Sequence, residues 1–427
     1  MNLLPLTVLL VLFAINVPVA FAMAVAALAF FLQGEGPPMG IYVQRLVAAT
    51  DSYPLLAVPF FILVGTIMNH AGITRRLLVL AEALVGHWRG GLAHANVALS
   101  TMMGGLSASA NADAAMQAKM LGPEMVARGY KPAFVAAITA CSAVVTPIIP
   151  PGIGLIIYGF LADVSIGRLF IGGIVPGLLV CAALMVATAL VARHRGYQPV
   201  REQFVSRSEL WQAFKSAGFA LTIPLFILVG IRFGFFTPTE AGAMTVVYAT
   251  LVGIFAHGEL KLRDVPQILL ETVLATSTVM LIICAAGAFG FYMAWERIPP
   301  QLASFLATLT TDPLFLLLLI NVLLLAIGML LEGTAALILL APILVPVVVK
   351  LGVDPVHFGL VMVLNLTVGA VTPPVGTLMY VTTTILRTSL IEFARESWPF
   401  LIALLTVLAA ITYVPELVLF LPRTMMG

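Results

Sequence analysis

This chain has very little charge. Of its 427 residues only 9% are Asp, Glu, Lys or Arg, against about 25% in a soluble protein. Its 21 basic and 19 acidic side chains cannot clothe a water-soluble fold of this size. The formal net charge is +2 and there is no block of like charge, so nucleic acid is not an expected partner. Cysteine is scarce too. Cys141, Cys181 and Cys284 lie inside apolar runs, and their odd number argues against a disulfide framework or a zinc site. The six histidines show no metal-ligand spacing. Residues 1–32 have no basic start and are too long for the apolar core of a signal peptide, so they read as a retained first span.

What fills the chain instead is hydrocarbon. Hydrophobic residues make up 61% of it, and the mean hydropathy is +1.10. The expected class is an all-α polytopic membrane protein in a bilayer, with room for roughly ten spans of about 20 residues. Helices are expected throughout, because lipid offers backbone polar groups no partner. Apolar runs place spans near 3–32, 54–70, 132–163, 168–193, 217–235, 239–257, 266–292, 355–386 and 398–421. Residues 93–128 are too polar for a plain span, and 303–350 are interrupted. The loop 193–215 carries Arg193, Arg195, Arg201, Arg207 and Lys215, which places it in the cytoplasm. Counting from there puts 72–91, 261–263 and 387–395 inside as well and the 295–300 loop outside. The N-terminus is then expected inside and the C-terminus outside.

Glycine and proline carry the most information. Shifting the chain by 223 residues superposes Gly105 on Gly328, Pro123 on Pro346, Gly129 on Gly352 and Pro132 on Pro355. The same shift superposes Pro150-Pro151 on Pro373-Pro374 and Pro176 on Pro399. Chance predicts about one such coincidence, so the chain is read as an internal duplication. By the topology above, the two copies point in opposite directions. Inverted repeats with interruptions at matching positions are a mark of secondary transporters.

The interruptions are Thr146–Gly152 and Gly369–Gly376. Adjacent prolines remove two amide donors and bar the helical conformation just before them. The carbonyls freed there must face protein or a polar cavity. Each break has a facing hairpin tip, Gly104–Asp113 in the first copy and Gly328–Thr334 in the second. Ser107 and Ser109 offer hydroxyls. A cage of hydroxyl and carbonyl oxygens suits a weakly held monovalent cation such as sodium, whereas divalent ions want more carboxylate. Asn111 is expected to cap the second helix of the first hairpin with Asp113 in its first turn, the alternative being direct ion ligation. Glu332 is either a proton or cation site or a water-exposed tip residue. Thr237-Pro-Thr-Glu240 reads as a capping box, and Trp295 and Trp398 as interfacial aromatics.

Taken together, Pro59–Gly65, Gly105–Asp113, Thr146–Pro151, Phe236–Gly242 and Thr372–Pro374 resemble the large membrane subunit of tripartite ATP-independent periplasmic (TRAP) transporters, the DctM-like family. The resemblance spans most of the chain. It implies an inverted-repeat, elevator-type permease with two re-entrant hairpins and two broken helices. Such a permease sits in the bacterial inner membrane and imports an organic acid, such as a C4-dicarboxylate or sugar acid, with sodium as coupling ion. It also implies two partners, a small four-helix membrane subunit and a periplasmic substrate-binding protein. By this resemblance 92–167 and 303–390 form the transport domain, and 1–91, 168–302 and 391–427 the surrounding spans. Sodium ligation carries over to Ser107, Ser109, Thr146, Pro147 and Gly152 in the first copy. In the second it carries to Gly333, Thr334, Gly369, Thr372 and Gly376. Ser107, Asn111, Asp113 and Thr377 are the candidate substrate contacts. The sequence departs from the family pattern at Ala108, where Gly is common, and at Gly152, where Ser is common. Rival readings are a carboxylate permease that works without a binding protein, a channel, and an intramembrane hydrolase using Ser107 or Ser109 with His94.

Overall fold

The computed structural model describes every residue except 1, 34–36, 107–108, 310–311 and 427. Among the described residues there are helices and no strands. Seven helices among the described residues are long and apolar enough to cross a membrane. One of these, Gly333–Lys350, is instead the second arm of a hairpin.

Contacts between the chain's turns define two faces. The polar segments meet at one of them. Arg76 pairs with Glu259 at 2.7 Å, and the Val200 amide donates to the Gly86 carbonyl at 2.9 Å. Tyr130 stacks on Tyr197 with ring centroids 4.3 Å apart, and Arg195 pairs with Glu396 at 2.5 Å. This basic face gathers the loops near 72, 86–90, 130, 196–200, 259 and 396. At the opposite face Thr239 donates to the Tyr53 carbonyl at 3.1 Å, and Met426 packs on Gly167. The Tyr158 hydroxyl donates to the Pro355 carbonyl at 2.7 Å.

The two copies are inverted in space. In the first, Gly91–Gly104 and Ala110–Met120 form a hairpin that opens at the basic face. Its first arm runs alongside the broken helix Pro132–Ser142, in register at Asn96/Thr139 and Ser100/Ser142. In the second copy Pro313–Leu330 and Gly333–Lys350 open at the opposite face. The first arm there runs alongside Pro355–Gly369, in register at Asn321/Asn365 and Gly328/Gly369. At 1.5 Å per residue a 14-residue arm reaches about 21 Å, short of a hydrocarbon layer of about 30 Å. The broken helices resume as Ile153–Leu161 and Thr377–Leu386. The peptide bond between the paired prolines is cis in both. The two halves interlock: the Tyr158 ring sits where a Cβ on Gly359 would come within 2.3 Å of it.

The first span departs from expectation. Residues 3–32 form two short helices, Leu4–Ala14 and Val19–Phe31, turned by Asn16 with φ +62° and Pro18. Both ends of this pair lie at the opposite face. The Asn2 amide donates to Glu296 at 2.8 Å, Tyr292 donates to the Asn2 carbonyl at 2.6 Å, and Asn2 also bonds Gln33. The pair is therefore a third hairpin. An N-terminus inside and a 295–300 loop outside cannot both hold, because the two are neighbours. The divisions expected at 167/168 and 302/303 fall inside the helices Ile166–Arg195 and Ile298–Leu309.

Candidate functional site

At the first tip the chain leaves Gly104 and re-enters a helix at Ala110. Ser109 is extended and its hydroxyl accepts from the Ala112 amide at 3.4 Å. Ser109 is thus the cap, not Asn111: a cap must stand outside the helical conformation, and Asn111 lies within the first turn. Asn111 Oδ1 is buried with no hydrogen-bond partner. Ser107 lies outside the described residues.

Asp113 points away from the tip into the repeat. It is 1% exposed. Its Oδ2 accepts from Thr146 at 2.8 Å and Ser100 at 3.1 Å, and its Oδ1 accepts from Gln117 at 2.9 Å. Ser142, Asn96 and Thr139 extend this network. It ties both arms of the hairpin to the broken helix, as buried polar groups require partners. Asp113 and Thr146, expected at an ion or substrate site, are joined to each other behind it. The second copy has Leu319, Leu323, Ala336, Leu340 and Met362 in place of Asn96, Ser100, Asp113, Gln117 and Thr139.

At the second tip Glu332 occupies the position of Ser109, 223 residues on, and also caps its helix. It accepts from the Ala335 amide and from the Thr334 hydroxyl, both at 3.0 Å. The arm crosses the broken helix at a glycine pair: a Cβ on Gly369 would lie 2.8 Å from the backbone of Gly328.

The breaks present carbonyls in the way the prolines dictate. In a continuous helix the Thr146 and Pro147 carbonyls would accept from residues 150 and 151, and those of Gly369 and Ala370 from 373 and 374. All four donors are replaced by proline. Ala370 instead accepts from the Leu378 amide at 2.9 Å. Glycine lets the chain fold over these oxygens: a Cβ on Gly152 would lie 2.1 Å from the Pro147 oxygen, and one on Gly376 2.3 Å from that of Ala370. Thr372 donates to the Val368 carbonyl at 2.7 Å, and Thr377 Oγ1 is buried without a partner.

Tips and breaks meet around one small cavity of about 60 Å³. Of the expected residues, Ser109, Asn111, Pro147, Gly333, Thr334 and Thr377 line it. Asp113, Thr146, Gly152, Gly369, Thr372 and Gly376 do not. The helices starting at Ala110, Ile153, Gly333 and Thr377 all begin here, so four partial positive charges converge. A cavity of about 640 Å³ adjoins it, sharing Ser109, Asn111, Glu332 and Thr334. Its far wall includes Phe21, Thr66, Asn69 and Thr278, which sequence reasoning missed. Thr66 and Asn69 lie toward the basic end of Ala57–His70, so this cavity occupies the basic half. The donor set is hydroxyl and carbonyl oxygen with the single carboxylate of Glu332, and no cluster of His, Cys, Asp and Glu that could hold a metal exists among the described residues. That chemistry fits a hard monovalent cation. His94 is remote from the tip; its Nδ1 lies 3.2 Å from Met185 Sδ.

Inverted hairpins and broken helices around a cavity at mid-membrane define a secondary-transporter fold. The comparisons with known proteins agree. The chain belongs to the DctM family, described as the tripartite ATP-independent periplasmic transporter DctM component, whose model matches residues 6–417. It is 40% identical to the sialic acid TRAP transporter large permease protein SiaM of Vibrio cholerae, covering 96% of each chain. It is 38% identical to the isethionate TRAP transporter permease protein DctMQ of Oleidesulfovibrio alaskensis, covering 97% of this chain and 66% of that one. It is 34% identical to the C4-dicarboxylate TRAP transporter large permease protein DctM of Rhodobacter capsulatus, covering 97% of each. Among solved structures it resembles the YdaH transporter of Alcanivorax borkumensis, with TM-score 0.60, 16% identity and 86% of each chain covered. The protein is therefore a TRAP transporter permease of a bacterial membrane and not an enzyme.

Proposed function

We propose that this permease imports an organic acid across the inner membrane, driven by sodium, through an elevator movement of its two repeats. The observation that carries the reading is the convergence of two oppositely directed tips and breaks on one oxygen-lined cavity. One sodium would lie between the first tip and break, near Ser109 and the Pro147 carbonyl, and one at the second, near Gly333, Thr334 and the Gly369–Gly376 segment. Sodium bound at both places would hold each tip against its break. The helix N-termini would then meet a substrate carboxylate. Residues 92–167 and 303–390 would move together, and Ala57–His70 and Val265–Trp295 would form the fixed wall. The basic half is the cytoplasmic half by charge bias, so the larger cavity corresponds to an inward-open state.

A small membrane subunit and a periplasmic binding protein would complete the system. The relatives named for sialic acid, isethionate and C4-dicarboxylates make an organic anion the expected cargo. The test is equilibrium binding of radioactive sodium to the purified protein. Saturable binding in wild type, with the share due to the first site lost in Ser109→Leu, is expected. Saturable binding unchanged in Ser109→Leu overturns the first site, and no binding in wild type overturns sodium coupling.

A further inference from the structure

We propose that the basic-face end of the helix Arg207–Arg232 is a binding site for an anionic phospholipid, with the phosphate held between Arg207 and Lys215 and an acyl chain lying over Gly218. The inference is independent of the cargo and of the coupling ion.

The helix has 26 residues. That is about 39 Å at 1.5 Å per residue, against a hydrocarbon layer of about 30 Å. Its first turns therefore stand at headgroup level. One face is buried through Ala213, Ala217, Ala220 and Ile223, and the helix packs on the arm Ile73–Val85. The other face carries Arg207, Trp211, Phe214, Lys215 and Gly218, which follow the helical spacing of three and four. Trp211 is 66% exposed, and its ring stacks on Phe214 with centroids 6.2 Å apart. A Cβ on Gly218 would meet nothing within 4 Å, so the helix surface is bare there. Leu225, exposed, continues the same face. Charge, aromatic rings, gap and hydrocarbon follow one another in the order of a phospholipid from phosphate to tail.

The two charges have no internal counterpart. Arg207 occupies the first helical turn, where the dipole disfavours a cation. Neither Arg207 nor Lys215 pairs with a carboxylate among the described residues. Glu209 lies on the opposite side of the helix and is committed to Arg201 and to the Ser206 cap. The next acidic residue along the chain is Glu240. Arg207 and Lys215 are each one turn from Trp211, so both can reach a phosphate at its level, Lys215 by extending its stem toward the headgroups. Guanidinium groups bind phosphate oxygens in pairs, and aromatic rings favour the boundary between headgroup and tail. A free phosphate would use the charges alone, whereas Trp211, Phe214 and the gap at Gly218 call for a tail.

The test is native mass spectrometry of the purified full-length chain in a neutral detergent, with dioleoyl phosphatidylglycerol and dioleoyl phosphatidylcholine added at equal concentration. Phosphatidylglycerol is expected to bind tighter by about tenfold, in line with two basic residues at a membrane surface. Arg207→Gln with Lys215→Gln should abolish the preference and leave the melting temperature in lipid-free detergent unchanged, since glutamine is as good a helix former. Gly218→Leu keeps both charges and fills the gap, and should weaken phosphatidylglycerol binding by about threefold or more. Lys261→Gln with Arg263→Gln removes as much charge from the same face of the protein and should leave the preference intact. No preference in wild type overturns the inference and leaves this face to a protein partner. An equal loss in the Lys261 and Arg263 variant also overturns it, because the charge of the whole face would then suffice. Undiminished binding in Gly218→Leu overturns the place given to the tail.

Discussion

Single residues at the breaks are constrained by backbone, not by side-chain chemistry. Gly152 leaves room for the Pro147 carbonyl, so Gly152→Ala must move that oxygen. Sodium binding is expected to weaken by about tenfold or more, the usual effect of disturbing a ligand's support. Gly290→Ala, at a position with nothing within 4 Å of the new methyl, should bind as wild type. Asp113 makes the opposite case, a side chain whose partners matter more than its backbone. Asp113→Ala strands the Thr146, Ser100 and Gln117 donors in a dry interior. A cost of about 1–3 kcal/mol is expected for such unsatisfied groups, read as a lowered melting temperature in detergent. Asp113→Asn, which keeps the shape, should cost less.

Elements were legible where glycine and proline dictate the path. Pro150-Pro151 and Pro373-Pro374 marked both breaks, and the shift of 223 residues marked the duplication and its tips. The capping box at Thr237 was legible for the same reason, since Thr-Pro-x-Glu satisfies orphan amides locally. The hairpin within residues 3–32 was not. Both arms are apolar throughout, so hydropathy reads a single run, and Asn16-Val-Pro18 was the sole local sign of a turn. The depth of Asp113 was not legible either, because it depends on which arm faces the broken helix. The spacings Asn96/Ser100 and Asp113/Gln117 could have pointed to it, as residues four apart share a helix face. At this scale the arm helix Ile73–Val85 offers a test. Burial, with Glu124 nearby, raises the Glu82 pKa, and Arg128 and Arg201 partly oppose this. The folded state then holds the proton more tightly than the unfolded chain. Its contribution to stability is full below the ordinary glutamate value of 4.5 and is lost as pH rises through the higher folded value. Glu82→Gln should gain melting temperature over wild type as pH rises through that window, and little below it.

For the whole molecule the two faces make a sharp prediction. Cysteines placed at Asn2 and Glu296 should react with an impermeant thiol reagent from the same side of the membrane. One placed at Gln203, in the loop of the basic face, should react only from the other. Labelling of Asn2 and Gln203 from one side would refute the N-terminal hairpin. The interlock between the halves, in which the Tyr158 ring fills the groove over Gly359 and its hydroxyl bonds Pro355, has a consequence for assembly. Each half presents a surface that only the other half completes, and the contacts of the polar loop up to Val200 are made within the first half, which leaves the stretch around Glu202 and Gln203 as the link between them. Severed there and co-expressed, the two fragments should find each other in the bilayer and restore transport. Either fragment alone would keep its hairpin, broken helix and flanking spans but leave its side of the groove unfilled.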